Sequence, residues 1–432
     1  MKLKITLSLL AATAALQTTP VFAQMNTGKL VVHDWGTFTS LQGGDGALIS
    51  WKPLRTSALP DFVYNWLNPG LPLHATSPML IFGKGSVTSL QRLETPVVYF
   101  YTDREQTVDI KVNFPEGMIT EWFPQASQIG SSAPNAAAGT SLNSDSGQTP
   151  ESLICWSNLQ LIPAAGRTAS TPPLPMSTNG AHYFAARETD ADYVRSSSLA
   201  TNRTAGAWGK FLFYRGVGDF KTPLRVTASA DDEITLANTS NETLSNLFVL
   251  GIKSQGGNFV YVSDLLPGKA KTVRLQSQSE ALNPTDLTSR INRAMSETLV
   301  KAGLYPREAQ AMVKTWRDSW FAEDGVRVLY LLPQDWTDRT LPMTLNPPPS
   351  ELVRVMVGRA EVLTPGVEKS LALQMQKASQ GDAGAASQAR AILKSLGRFA
   401  EPAFNRAQAA VKPQPQEGLQ LSALLNDAPA IQ

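Results

Sequence analysis

Three histidines, His33, His74 and His182, are all that a chain of 432 residues offers for imidazole chemistry. Any step that needs an imidazole as base, acid or metal ligand must use one of them. His33 lies in the run Val31-Val32-His33-Asp34-Trp35, and His182 opens HYFAARETDADYVR. His74 sits in the proline-flanked stretch LPLHATSP and reads as a surface residue. A divalent ion held by two imidazoles and one or two carboxylates activates water without a thiol or serine nucleophile. That chemistry makes His33, His182, Glu94 and Glu188 the candidate ligands for zinc or a similar divalent metal. Glu94 precedes Thr95-Pro96 at the mouth of an apolar run, where a side chain can leave the end of a sheet, and it is equally placed to pair with Arg92. Asp34, beside His33, is a catalytic candidate. A histidine beside a strand aromatic is also commonly a hydrogen-bonded structural residue, so the same positions admit a reading without a metal.

Other chemistries are excluded more firmly. One cysteine, Cys155, forbids an intrachain disulfide, a CxxC redox pair and a zinc site built on several thiolates, and reads as a small core residue beside Trp156. The chain contains no GxSxG elbow, no HExxH helix, no P-loop and no dinucleotide fingerprint. Gly216-Val217-Gly218 and Gly268-Lys269 read as turns. Trp35, Trp51 and Trp66 fall close together, as a sugar-stacking platform or as core. Lys plus Arg number 38 against 36 Asp plus Glu, a formal charge of +2 with no basic cluster, which argues against a nucleic-acid partner.

The elements that must position these residues begin after a secretory pattern. Lys2 and Lys4 precede the apolar stretch Ile5 to Leu16, and Val21-Phe22-Ala23 ends in residues that suit signal peptidase, so residues 1–23 read as a cleavable signal. The apolar stretch is shorter than the roughly 20 residues of a spanning helix. The expectation is a periplasmic or extracellular protein with no transmembrane segment once the signal is removed. Both surplus charges lie in that segment.

Residues 24–204 read as a β-rich domain. Its elements are a strand over Lys29–Thr39, a hairpin made of VVYFYT and TVDIKVNF around DREQ, a strand MITEWF, and a strand LICWSNLQLI. A Ser-, Ala- and Gly-rich loop spans 125–150, and a Pro-rich one Pro163–Gly180. The segment HYFAARETDADYVR fits either an extended strand, which groups His182 with Glu188, Asp190 and Asp192, or a helix, which separates them. Residues 205–280 hold short strands at the spacing of an immunoglobulin-like β-sandwich. Residues 281–412 turn helical over Leu287–Ala302 and Pro306–Phe321, pass through three β-like segments around Pro347-Pro348-Pro349, and end helical. Ala309, Met312, Val313, Trp316 and Trp320 share one helical face. A polar tail covers 413–432. The fold class expected is α+β, mainly β.

The segments VVHDWGTFTSLQGGDG, RLETPVVYFY, FPEGMITEWFPQ, HYFAARETDADYV, KFLFYRGVG, SWFAEDGVRVLYLLP and LVRVMVGRAEVLTP resemble a family of secreted bacterial proteins whose first motif usually reads His-Glu-Trp-Gly-Thr-Phe-Thr. Here Asp34 takes the acidic place, with a reach shorter by one methylene. The resemblance lends weight to His33, Glu94, Glu121 and His182 as positions, adds Glu121 and Arg187 to Asp34 as catalytic candidates, with Arg187, like Arg215, suiting an anionic group or a neighbouring acid, and implies no particular reaction. Two functions follow as expectations: a metal-assisted hydrolase, or a non-catalytic envelope protein that binds a small molecule, a glycan or a protein partner.

Overall fold

The computed structural model describes residues 29–55, 59–66, 87–131, 152–166, 173–196, 208–275, 281–411, 418 and 421–425. The signal segment, His74 and residues 132–150 of the expected loop lie outside them.

The strands in chain order begin with β1 (Leu30–Gly43), β2 (Tyr64–Asn65), β3 (Gln91–Thr102), β4 (Gln106–Phe114), β5 (Gly117–Phe123), β6 (Gln128–Ser131) and β7 (Ser152–Ile162). After helix α1 (Ala181–Ala185) come β8 (Tyr193–Arg195), β9 (Trp208–Gly209), β10 (Leu212–Gly218), β11 (Leu224–Ala228), β12 (Glu233–Asn238), β13 (Leu244–Lys253), β14 (Gly256–Leu265) and β15 (Ala270–Arg274). Helices α2 (Pro284–Lys301) and α3 (Pro306–Phe321) lead to β16 (Gly325–Leu331), α4 (Gln334–Thr340), β17 (Met343–Asn346) and β18 (Glu351–Leu363). Helices α5 (Pro365–Ser379), α6 (Ala383–Leu396) and α7 (Ala400–Val411) follow. The α+β, mainly β class is therefore met.

Nine strands form the main sheet in the order β14-β13-β16-β18-β1-β3-β10-β5-β2. Only the β1–β18 pairing among them is parallel. Every residue of β1 is buried, polar ones included, because the strand is central and both faces are covered. A six-stranded sheet runs β17-β4-β7-β8-β9 with β6 also on β7, and β11-β12-β15 make a third sheet.

Two expectations change here. The segments VVYFYT and TVDIKVNF do not pair as a hairpin: β3 has both edges taken by β1 and β10, so the DREQ turn carries the chain into another sheet, where β4 pairs with β7 and β17. The strands of 205–280 form where expected, but they divide between sheets. β10, β13 and β14 belong to the nine-stranded sheet and only β11, β12 and β15 make a sheet of their own, because the long strands β3, β5 and β16 offer ladder partners from outside the segment. Residues 128–131, read as loop, add β6 to the edge of β7.

The helices follow their patterns closely. Asn283 caps α2 by accepting a hydrogen bond from the Asp286 N–H at 2.9 Å. The face Ala309, Met312, Val313, Trp316 and Trp320 of α3 is buried against the main core. Helices α5 to α7 build a second apolar cluster on Leu41, Trp51 and Leu363, at the end of β1 and β18. Among the described residues no helix is long and apolar enough to cross a membrane.

Gly358 of β18 lies directly opposite Tyr330 of β16, whose ring fills the space a side chain would take; a Cβ there would sit 2.3 Å from the ring carbon bearing the hydroxyl. Gly358→Ala is expected to lower unfolding stability by about 1–3 kcal/mol through displacement of that buried ring, read by urea denaturation with an unchanged m value.

Candidate ligand-binding site

A charged band crosses one face of the main sheet. Arg327 of β16 stands opposite Glu361 of β18, Arg359 and Arg92 flank Thr39 of β1 from either side, Glu94 stands opposite Thr37, and Arg215 of β10 stands opposite Glu121 of β5. Their strands alternate these charges with apolar residues, so strand parity alone puts them together. The register also slips at three neighbouring places: between Trp35 and Thr37, between Phe213 and Gly216 against β3, and between Arg215 and Gly216 against β5. Such bulges bend strands and re-aim side chains. Thr95, between Glu94 and the bulge, has φ +45°, a left-handed conformation that a β-branched residue adopts only under constraint.

The band is an interlocked ion network. Arg327 donates to Glu361 at 3.1 Å and to the carbonyls of Ser319, Trp320, Glu323 and Asp324, which satisfies the end of α3 from below. Arg359 donates to Glu361 at 2.9 Å and to Glu323 at 2.7 Å. Arg398, between α6 and α7, donates to Glu94 at 2.6 Å, and Arg92 pairs with the same carboxylate at 3.4 Å. Thr39 adds a hydroxyl to Glu94 at 3.2 Å. Burial alone would raise the Glu94 carboxyl, but Arg398, Arg92, Arg359 and Arg215 outweigh it and hold it at about 2. Burial brings Arg92 down to about 10, with Arg215 and Arg398 adding to the effect and Glu94 opposing it.

Arg92, Glu94, Arg215 and Arg398 line one end of a cavity of about 790 Å³ between the sheet, α3 and the C-terminal helices. Trp316, Ile252, Leu275, Val362, Leu396 and Phe399 supply apolar wall. Arg398 Nε and Nη2 and Trp316 Nε1 are buried N–H groups with no hydrogen-bond acceptor among the described residues. The network counts five guanidinium groups (Arg92, Arg215, Arg327, Arg359, Arg398) against four carboxylates (Glu94, Glu121, Glu323, Glu361). Asp324, within electrostatic reach of Arg327, lines the same cavity with Asp231, Asp232 and Lys253, so band and cavity together hold no positive surplus.

The residues singled out from the sequence fall at several separate places. Glu94 and His182 both reach the cavity. His182 lies on α1, a five-residue helix that ends before Glu188, while Tyr193–Arg195 of the same segment is strand β8; the His182 Nδ1 donates to the Thr315 carbonyl at 3.1 Å. Glu188 is exposed and paired with Lys314 at 2.6 Å. His33 is fully buried on the other side of the bulge: Nδ1 lies 2.6 Å from Glu308, which also accepts from Tyr101 at 2.7 Å, and the ring packs on Tyr305. His33 stands opposite Tyr99 and Glu94 opposite Thr37, four residues further along β1, or roughly 13 Å at strand rise. Asp34 faces away from His33 and meets Arg354 at 2.9 and 3.0 Å; burial pushes its carboxyl up against the pull of that guanidinium. Arg187 lies over Phe62, Tyr183 and Phe184 and donates to the Pro175 carbonyl. Glu121 belongs to the charged band. Among the described residues no three His, Cys, Asp or Glu side chains group so as to hold a metal ion.

Trp35, Trp51 and Trp66 are buried, at 0%, 2% and 7% exposure, which corrects the reading of them as a sugar-stacking platform. Their rings are core, and Trp51 packs on Phe399. Cys155 is half-buried rather than core, on a strand whose neighbours alternate in exposure.

No family model matches this chain, and no curated protein sequence does. Among solved structures, the yeast delta-COP-I mu-homology domain complexed with a Dsl1 WxWxV peptide aligns at 8% identity and a TM-score of 0.24, over 78% of this chain and 97% of that one. The same domain without peptide gives 8% and 0.25 over the same shares, and the Fcho1 mu-homology domain of Danio rerio with a bound Eps15 peptide gives 7% and 0.30, over 77% and 97%. At those scores the likeness defines neither fold nor function.

Glu94 gives the site a pH signature. Its carboxyl is depressed from 4.5 to about 2, so its stabilising contribution is complete above about pH 4.5 and is lost as pH falls toward 2. The loss is on the order of 3 kcal/mol. Urea unfolding at pH 5 and pH 2.5 is expected to show this drop in the wild type and a smaller drop in Glu94→Gln, which starts less stable at pH 5.

Proposed function

We propose that this chain is an exported envelope protein that binds an anionic small molecule in the cavity between the main sheet and the C-terminal helices. The observation that carries the reading is Arg398 at the cavity wall, whose buried Nε and Nη2 N–H groups have no acceptor among the described residues. Buried donors without partners are rare because each costs free energy comparable to a lost hydrogen bond, more when the group is charged. An anion in the cavity supplies those acceptors. The cavity falls within the usual size of small-molecule pockets. Export is supported by the pattern of Lys2, Lys4 and the apolar run before Ala23. A metal-assisted hydrolysis centred on His33, Glu94 and His182 has no shared cluster behind it among the described residues, because each side chain already serves a different neighbour.

The test is thermal unfolding of the mature protein titrated with acetate, succinate, sulfate and phosphate at fixed ionic strength, with chloride as reference. At least one oxyanion is expected to raise Tm saturably, by about 3 °C at a hundredfold excess over Kd. Arg398→Gln is expected to keep the circular dichroism spectrum and lose the rise. Equal behaviour of every oxyanion and chloride would overturn the reading.

A further inference from the structure

Resting on the anion-binding reading, we propose that the ligand is a monocarboxylic acid with an apolar body, its carboxylate at Arg398 and its body along Trp316, Ile252, Leu275, Val362 and Leu396. Three features of the cavity lead there.

The first is the shape of the vacant donor set. Arg398 spends Nη1 on Glu94, and the two nitrogens left without acceptors are Nε and Nη2. These lie on one edge of the planar guanidinium and present two parallel N–H groups, the fork that a carboxylate accepts with both oxygens. The guanidinium lies 5.0 Å from the Phe399 ring and 5.6 Å from that of Trp51, which fixes its place without using an N–H.

The second is charge. Besides Glu94, the side chains of Asp231, Asp232, Glu323, Asp324 and Glu361 line the cavity against Arg92, Arg215, Arg398 and Lys253, so a monoanion meets less repulsion there than a phosphate dianion across a space of low dielectric.

The third is the wall. Trp316, Ile252, Leu275, Val362 and Leu396 supply much of the lining beside the polar Asp231, Asp232, Lys253 and Asn258, and Trp316, 7% exposed, holds its indole stacked against Trp320 at 6.1 Å. A ligand with only a charged head leaves that wall facing water. An apolar body covers it, at about 25 cal/mol per Å² of apolar surface removed from solvent.

The experiment is calorimetric titration of the full mature protein with acetate, butanoate, hexanoate and octanoate, with inorganic phosphate and 1-octanol as further arms. The expected result is a Kd that tightens about three- to fourfold per added methylene up to a plateau, the conversion of about 0.8 kcal/mol per buried methylene. Phosphate and 1-octanol are expected to bind weakly. Arg398→Lys keeps a charge but not the fork, and should weaken octanoate about tenfold while preserving the chain-length slope. Equal affinities for acetate and octanoate, or tighter binding of phosphate than of octanoate, would overturn the apolar acid and leave anion binding standing. Octanol binding as tightly as octanoate would overturn the carboxylate. Binding of none of the anions would remove the site itself.

Discussion

Buried guanidinium groups set the terms for this fold. Arg327 and Arg359 are among the largest fully buried side chains described, and each sits in a strand of the main sheet. A charge removed from water in this way is tolerated only when acceptors surround it, and losing one partner of a buried pair costs several kcal/mol. Arg327 meets the condition with five acceptors and so ties β16 to the end of α3. Arg359 ties β18 to Glu323, and Glu94 ties β3 to the C-terminal helices through Arg398. The network therefore also fixes register. A one-residue slip of β18 would turn Arg359 and Glu361 to the opposite face, away from every partner.

Strand β1 carries the complementary constraint, since it is buried on both faces and has the network on only one. His33 and Asp34 point to opposite sides, one to Glu308 on α3 and the other to Arg354 on β18. Gly36 follows at the bulge, where a Cβ would lie 2.9 Å from the backbone of Pro96, so the strands approach there only because residue 36 has no side chain. Thr37 and Thr39 then occupy the charged face with small polar side chains, and Thr39 reaches Glu94. The motif His33-Asp34-Trp35-Gly36-Thr37-Phe38-Thr39 thus reads as a set of contacts that lock the centre of the sheet.

Local patterns carried much of this in advance. The strands from β10 to β15, the helix Pro306–Phe321 and its buried face are legible because period-2 and period-3.6 alternation are properties of consecutive residues. Pairing is not local: nothing in VVYFYT and TVDIKVNF says that β1 and β10, distant in sequence, will claim both edges of β3 before β4 can reach it. The site shows the same division. Glu94, Glu121, His182 and Arg215 were visible as charged or titratable residues inside distinctive motifs, and Glu94 with Arg92 as a possible pair. Arg327, Arg359, Glu361 and Glu323 were passed over as ordinary alternation in β-like or helix-ending segments, and Arg398 as one cation in a helical tail. The available signal was charge in strands otherwise apolar on both faces, GVRVLYL and VMVGRAEVL, where a buried strand has no wet side to spend it on.

The position of the cavity follows from how the two apolar clusters meet. The main cluster holds the sheet and α2–α3, and the second holds α5–α7 on Leu41, Trp51 and Leu363. Between them the charged band occupies one face of β3, β10 and β18, so the C-terminal helices cannot settle there as apolar surface on apolar surface. Beside the apolar contacts on Leu41, Trp51 and Leu363, they are tied by discrete ion pairs: Arg398 with Glu94, Lys52 with Glu401, and Arg406 with Asp45. Directional contacts of this kind hold two bodies together without filling the space between them, whereas apolar packing closes it. The opening that results has arginine at one end and core-derived apolar wall along its length. Its chemistry was therefore set by the same requirement that made the seam polar.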